Sequence, residues 1–217
     1  MKQTTFGSIR SGDDLGLILL KQEVQPPAPK LNMKDIPGAD GSIDLTEALG
    51  VGVLYKDRAI TWTFGLYPGD DWPTKHSEVA GALNGRSVHI TLGDDPEYYY
   101  IGRLTVASYS TDKLLHKITI KATCKPYKLH QLQTTVMRTL GHQFQTIVLS
   151  NDRKPAVPKI TVTEETQIQV GNTTITISAG SYVLPDIRLV EGANSIQAKT
   201  VSADSGSIKI EWQEGAL

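Results

Sequence analysis

The chain has 217 residues, with 22 Lys and Arg against 23 Asp and Glu and a formal net charge of -1. That balance lacks the basic surplus with which proteins grip phosphate backbones. No stretch approaches the roughly 20 apolar residues of a membrane-spanning helix, and a hydrophobic fraction of 39% suits folded domains rather than disorder.

Near the N-terminus the apolar run Leu15 to Leu20 is short, follows Asp13 and Asp14, and lacks the basic lead-in of a secretion signal. A soluble protein made in a cytoplasm is therefore expected. Residues 5–10 and 15–24 read as two strands around the turn Ser11-Gly12-Asp13-Asp14. Gln25-Pro26-Pro27-Ala28-Pro29-Lys30 reads as a connector or a guarded edge, because proline cannot donate to a sheet ladder.

The stretch that organises the chain comes next. Ile36-Pro37-Gly38 and Asp40-Gly41 carry the residues of tight turns. Ile60, Trp62, Phe64 and Leu66 alternate with Ala59, Thr61, Thr63 and Gly65, the pattern of a half-buried strand. Between them Ser42, Asp44, Thr46, Glu47, Gly50 and Gly52 are too polar and glycine-rich for a core. This layout predicts a projecting hairpin arm over about residues 35–58, rooted in a β-domain and reaching for a neighbouring copy. Its contact residues are expected to be Ile36, Pro37, Gly38, Asp40, Gly41, Ile43, Asp44, Leu45, Tyr55 and Arg58.

A turn-rich link, Pro68 to Pro73, leads to a helix over about residues 74–84. Thr74 would be its N-cap, Glu78 would lie in the first turn, and Gly85 would be the left-handed stop. Val79 and Leu83 share one face, so the helix should lie on a sheet. Strands follow at Val88, Ile90 and Leu92, from Tyr98 to Val106, and at Ile118, Ile120, Ala122 and Cys124. Cys124 is the only cysteine, which excludes an internal disulfide; a small buried apolar residue is the expected reading.

A domain boundary is placed between Tyr127 and Leu140, giving an N-terminal domain of residues 1–130 and a C-terminal domain of residues 131–217. The second half is almost pure β. Strands are expected at 144–149, 160–162, 168–170, 175–177, 187–189, 196–198 and 208–212, separated by Asn151-Asp152, Gly171-Asn172, Ala179-Gly180, Glu191-Gly192 and Ser205-Gly206. Short strands at such even spacing argue for a sandwich. The fold class is mainly β, in two domains.

Chemistry is sparse. No two of His76, His89, His116, His130 and His142 stand four apart, and HExxH, GxSxG, phosphate-loop and dinucleotide motifs are absent. Asp94, Asp95 and Glu97 form an acidic cluster of the kind glycoside hydrolases use, but they flank Pro96 in an expected turn. Tyr98 and Tyr100 would share one side of a strand and could stack on a glycan. No catalytic, metal or cofactor-binding set emerges, so an enzyme is not expected. A carbohydrate-binding module and a glycoside hydrolase are the alternatives to a structural role.

Several pieces in order resemble the distal tail protein (Dit) family of long-tailed, non-contractile phages and related prophages. They are Phe6-Gly7-Ser8-Ile9, Asp14-Leu15-Gly16-Leu17, the run Ile36 to Glu47, Tyr55-Lys56-Asp57-Arg58, Ala82-Leu83-Asn84-Gly85-Arg86, Asp94 to Arg103, and Cys124-Lys125-Pro126-Tyr127-Lys128. More loosely, Asn151 to Pro155 and Leu189 to Asn194 resemble the second domain of that family. The resemblance implies an N-terminal β-sandwich with a projecting hairpin arm and one α-helix, followed by a galectin-like β-sandwich. It further implies a homo-hexameric ring at the virion tail tip, built through the arms. Such a ring joins the tail tube protein to the tail-tip hub or baseplate, points its second domains outward to hold receptor-binding proteins, and lets DNA pass without specific binding. No cofactor and no membrane partner is implied.

Overall fold

The computed structural model describes residues 2–48, 50, 52–66, 69, 71–111 and 115–217; Pro68 and Asp70 of the expected link lie outside them. The chain divides into two compact units, Met1–Lys128 and Leu129–Leu217.

In the first unit the elements are β1 (Thr5–Phe6), β2 (Ile9–Arg10), β3 (Ile18–Val24), β4 (Met33–Asp35), β5 (Ser42–Asp44), β6 (Arg58–Gly65), α1 (Trp72–Leu83), β7 (Ser87–Leu92), β8 (Asp95–Thr111) and β9 (His116–Cys124). An antiparallel sheet runs β2-β1-β7-β8-β9-β6-β3, while β4 and β5 form a separate two-stranded sheet. Residues 5–10, expected as one strand, are instead a tight hairpin. Gly7 sits at φ 66, so the chain reverses there and Phe6 pairs with Ile9.

The sheet folds back on itself. Phe6 on β1 meets Trp62 on β6 edge to face at 5.2 Å, although three strands separate them in the sheet order. Gln22 on β3 accepts the indole N–H of Trp62 at 3.0 Å and donates to Asp94, before β8, at 3.2 Å. The two ends of the sheet therefore face each other across one core of Phe6, Ile60, Trp62, Phe64, Ile90, Leu104, Ile118 and Ile120. The alternation along β6 is what supplies Ile60, Trp62 and Phe64 to it, each fully buried. Each such side chain stabilises the fold by about 1.5–3 kcal/mol.

Helix α1 starts two residues before the expected position, which alters its N-terminus. Asp71 is the N-cap and Pro73 lies in the first turn, where its missing N–H costs nothing. Thr74 is thus inside the helix, donating its hydroxyl to Asp71 at 2.5 Å. Glu78 falls in the second turn, paired with Lys75 at 2.8 Å, and no acidic residue occupies the first. The other end matches expectation: Gly85 takes φ 77, and Val79 and Leu83 are buried against the sheet.

In the second unit the elements are β10 (Lys128–His130), which straddles the division, β11 (Thr134–Leu140), β12 (Gln145–Asn151), β13 (Lys159–Val162), β14 (Thr166–Val170), β15 (Thr173–Ile177), β16 (Gly180–Val183), β17 (Gly192–Thr200), β18 (Gly206–Trp212) and β19 (Gly215–Ala216). Two antiparallel sheets, β11-β18-β13-β16 and β12-β17-β14-β15, enclose a core of Leu140, Ile147, Leu149, Ile160, Ile168, Ile196, Ile208 and Ile210. This is the expected sandwich.

Ile187 and Leu189 do not form a strand. Pro185 cannot donate, the Ile187 N–H turns back to the Leu184 carbonyl, and only a single bridge between Leu189 and Ala156 remains. Both side chains are nonetheless buried, which is why their spacing imitates a strand. Strands β10, β11 and β16 arise where turn or boundary signals stood. Edge strand β11 is mostly exposed and polar, and β16 opens directly at Gly180.

Candidate functional site

The arm is a two-stranded ribbon whose legs pair from root to tip. At the root Pro29 faces Tyr55, Lys56 donates to the Ala28 carbonyl at 2.8 Å, and Lys30 donates to Leu54 at 2.7 Å. Higher up, Leu45 donates to Asn32 at 2.8 Å, and the register runs Met33 to Asp44, Lys34 to Ile43 and Asp35 to Ser42. Gly38 at φ 84 and Gly41 at φ 76 make the tip, conformations open to glycine without strain. The outgoing leg thus begins near residue 28, earlier than the expected 35. The proline-rich segment is not a bare connector but one leg of the root, where Pro29 needs no N–H of its own.

Local side-chain bonds shape the ribbon. The Ser42 hydroxyl donates to Asp35 at 2.6 Å across the pair. Asp44 accepts the Thr46 N–H at 2.9 Å; bonds from the Thr46 side chain and backbone hold its carboxyl below the usual range. Asp44 therefore ends β5 as a turn-forming acceptor.

Every residue from 28 to 45 is exposed. Among them are large apolar side chains: Leu31, Met33, Ile36, Ile43 and Leu45, with Leu54 on the returning leg. Cross-strand pairs share a face, so Ile43 and Leu45 lie with Lys34 on one side and Met33 on the other. These side chains find no core within their own unit. What the ribbon offers is two unpaired strand edges and apolar groups, the means of strand addition and surface docking. The apolar alternation of Leu31 and Met33 is the sequence signal for the outgoing leg.

Two residues expected at the contact are placed elsewhere. Tyr55 is half-buried at the root, its ring edge-on to Tyr127 at 6.0 Å. Arg58 is only 5% exposed, its guanidinium 5.3 Å from the Tyr100 ring centre, so it anchors the root and cannot reach outward. Ile36, Pro37, Gly38, Asp40, Gly41, Ile43, Asp44 and Leu45 are all on the exposed ribbon.

The Tyr98–Tyr100 platform is not formed. Tyr100 is 4% exposed, and burial, the largest influence, raises its phenol pKa despite the nearby Arg58 charge. The ring of Tyr98 is capped by the Lys128 ammonium at 4.0 Å. A sugar therefore finds no pair of open faces there. The acidic cluster is equally committed: Asp95 binds Lys128 at 2.7 Å and Asp94 accepts from Gln22. Burial opposes the Lys128 charge, but Asp95 outweighs it and the pKa rises overall. Asp95 begins β8 rather than sitting in a turn, so the cluster is not arranged across a groove. Cys124 is fully buried, and burial pushes its thiol up to about 12, which leaves it inert as a nucleophile.

Among the described residues no helix is long and apolar enough to cross a membrane. No family model and no curated protein matches the chain. Among solved structures, that of SPP1 Dit (gp 19.1), described as a paradigm of hub adsorption apparatus in Gram-positive infecting phages, aligns with a TM-score of 0.70. The alignment covers 100% of both chains at 16% identity. A de novo designed double-stranded beta-helix covers 38% of this chain at a TM-score of 0.27 and 14% identity, a likeness too slight to carry any argument. Across its whole length, the chain has the fold of a phage Dit protein.

Proposed function

We propose that this chain is a Dit-family structural protein of a phage tail tip, without enzymatic activity. The observation that carries the reading is the full-length likeness to SPP1 Dit, in both units and at similar size. The exposed ribbon supports it from the physical side. A ring requires different patches on each subunit to meet head to tail and close by rotation, and a protruding ribbon supplies one such patch.

In this reading the chain forms a homo-hexameric ring through its arms. One face of the ring meets the tail tube protein and the other the tail-tip hub or baseplate. DNA passes through the central channel, a passage that suits a net charge of -1 better than a phosphate-gripping basic surface. Residues 1–130 act as the ring-forming N-terminal domain, and residues 131–217 are a galectin-like sandwich of about ninety residues, no more than a small domain needs. A receptor-binding protein is a further partner of the C-terminal unit. Assembly takes place in the host cytoplasm, where a lone thiol stays reduced.

The test is solution mass and negative-stain microscopy of the purified chain and of a variant whose ribbon, residues 31–53, is replaced by a two-residue turn. The intact chain should give six-fold rings, alone or on adding its tail partner. The truncated one should stay folded and monomeric. Rings from the truncated chain would remove the arm from the mechanism. An intact chain monomeric at every concentration, with and without tail partners, would refute the ring.

A further inference from the structure

Among the described residues, one group of side chains in the C-terminal unit has the composition of a metal site. His130, Asp152 and Glu214 each bring one ligand atom, and these atoms all lie within 4.8 Å of one another. They come from three distant segments: β10, the residue after β12, and the residue before β19. His130 Nε2 and Asp152 Oδ2 are 3.2 Å apart. Two ligands held at about 2.0–2.2 Å from one ion, at octahedral or tetrahedral angles, lie roughly 3.0–3.5 Å from each other. Glu214 brings a second carboxylate to the same imidazole. A second carboxylate brought this close adds repulsion unless a positive charge lies between them.

The ligand backbones are tied together by bonds that need no ion. The His130 N–H donates to the Glu214 carbonyl at 3.2 Å, and the Gln213 side-chain amide donates to the His130 carbonyl. The Lys154 N–H donates to Gly215 at 2.9 Å. Asn151, 4% exposed, donates to the carbonyls of Asp152 at 2.8 Å and Lys154 at 3.0 Å. Its own Oδ1 is buried beside Asp152 with no hydrogen-bond partner, a further acceptor with its demand unmet. The three ligand positions are thus pre-formed, and half-burial of all three lowers the competition from water.

We propose that His130, Asp152 and Glu214 bind one divalent transition-metal cation, with water completing its shell. The imidazole selects against Ca2+ and Mg2+, which favour all-oxygen sites, and for Zn2+ or a close relative. The ion would staple the first, middle and last segments of the unit, spanning separations of 22 residues from His130 to Asp152 and 62 from Asp152 to Glu214. The inference stands apart from the tail-tip reading and does not depend on it.

The experiment titrates Zn2+ into the chelator-treated full chain by calorimetry, with thermal unfolding in parallel. The expected result is one Zn2+ per chain and a raised unfolding temperature, with no rise in Mg2+ or Ca2+ at the same concentration. His130→Gln, Asp152→Asn and Glu214→Gln should each weaken binding tenfold or more. His142→Gln should not, although His142 pairs with Asp204 at 3.0 Å in the same unit. Circular dichroism checks that each variant is folded; if Asp152→Asn is not, the other two variants carry the test. The absence of saturable binding would overturn the proposal. So would binding that survives either His130→Gln or Glu214→Gln, loss in His142→Gln, or equal stabilisation by Ca2+.

Discussion

Replacing Ile43 and Leu45 by serine probes the arm at its apolar face. Ile43 is 48% and Leu45 38% exposed in the single chain, so a sibling subunit can still cover nearly half of each. Full burial of such a side chain contributes about 1.5–3 kcal/mol, which leaves about 1 kcal/mol apiece for the contact. The double variant should therefore lose about 2 kcal/mol at each arm contact, roughly 30-fold in the pairwise association constant. In the proposed ring every subunit would donate one arm, so the loss would recur at each interface and the concentration for half-assembly would rise steeply. Light scattering behind size-exclusion chromatography over a concentration series reads this directly. The same variant should unfold within about 0.5 kcal/mol of the parent, because neither side chain belongs to a core. Unchanged ring formation would refute the argument. A large drop in stability would show instead that the arm folds onto its own body.

The remaining predictions concern the scaffold. Gly102 lies opposite Cys124 across β8 and β9, and a Cβ there would stand 2.4 Å from the sulfur. Gly102→Ala should cost about 1–3 kcal/mol in denaturant titration, and adding Cys124→Ala should recover part of it. Leu83→Ala on the buried face of α1 should cost about 2–5 kcal/mol, read as a lower unfolding midpoint. Cys124 has its folded pKa raised by burial from 9.0 to about 12. The unfolded chain therefore loses that proton first, and stability falls as pH rises from about 9 towards 12. Cys124→Ala should flatten that alkaline decline in a pH series of unfolding curves, and an unchanged slope would refute the assignment. The native thiol should also stay silent to a disulfide reagent at pH 8 and react only in denaturant.

Much of the architecture was legible because local signals agreed with it. Alternation at Ile60, Trp62 and Phe64 has period two whatever the strand pairs with, and Gly85 can end a helix without knowing its neighbours. The glycines at 38 and 41 announce a turn by their freedom alone. The errors lie where non-local packing overrode local pattern. Ile187 and Leu189 are buried like strand residues, yet Pro185 and the turn before them leave only one bridge. Strand β11 is polar enough to pass for a linker; its pairing with β18 and the burial of Leu140 at its end are what order it. Thr74 looked like a cap because hydroxyls favour caps, but Trp72 and Pro73 extend the helix past it.

From residues alone came the fold class and the existence of an arm, because each depends on composition and short-range periodicity. Only the folded chain could decide which side chains face outward. Arg58 and Tyr100, read as surface contacts, lie buried, with the guanidinium 5.3 Å from the phenol ring centre. His130, Asp152 and Glu214 meet because three distant segments are hydrogen-bonded side by side. Burial and convergence are properties of the whole path, and no window of neighbours along the chain contains them.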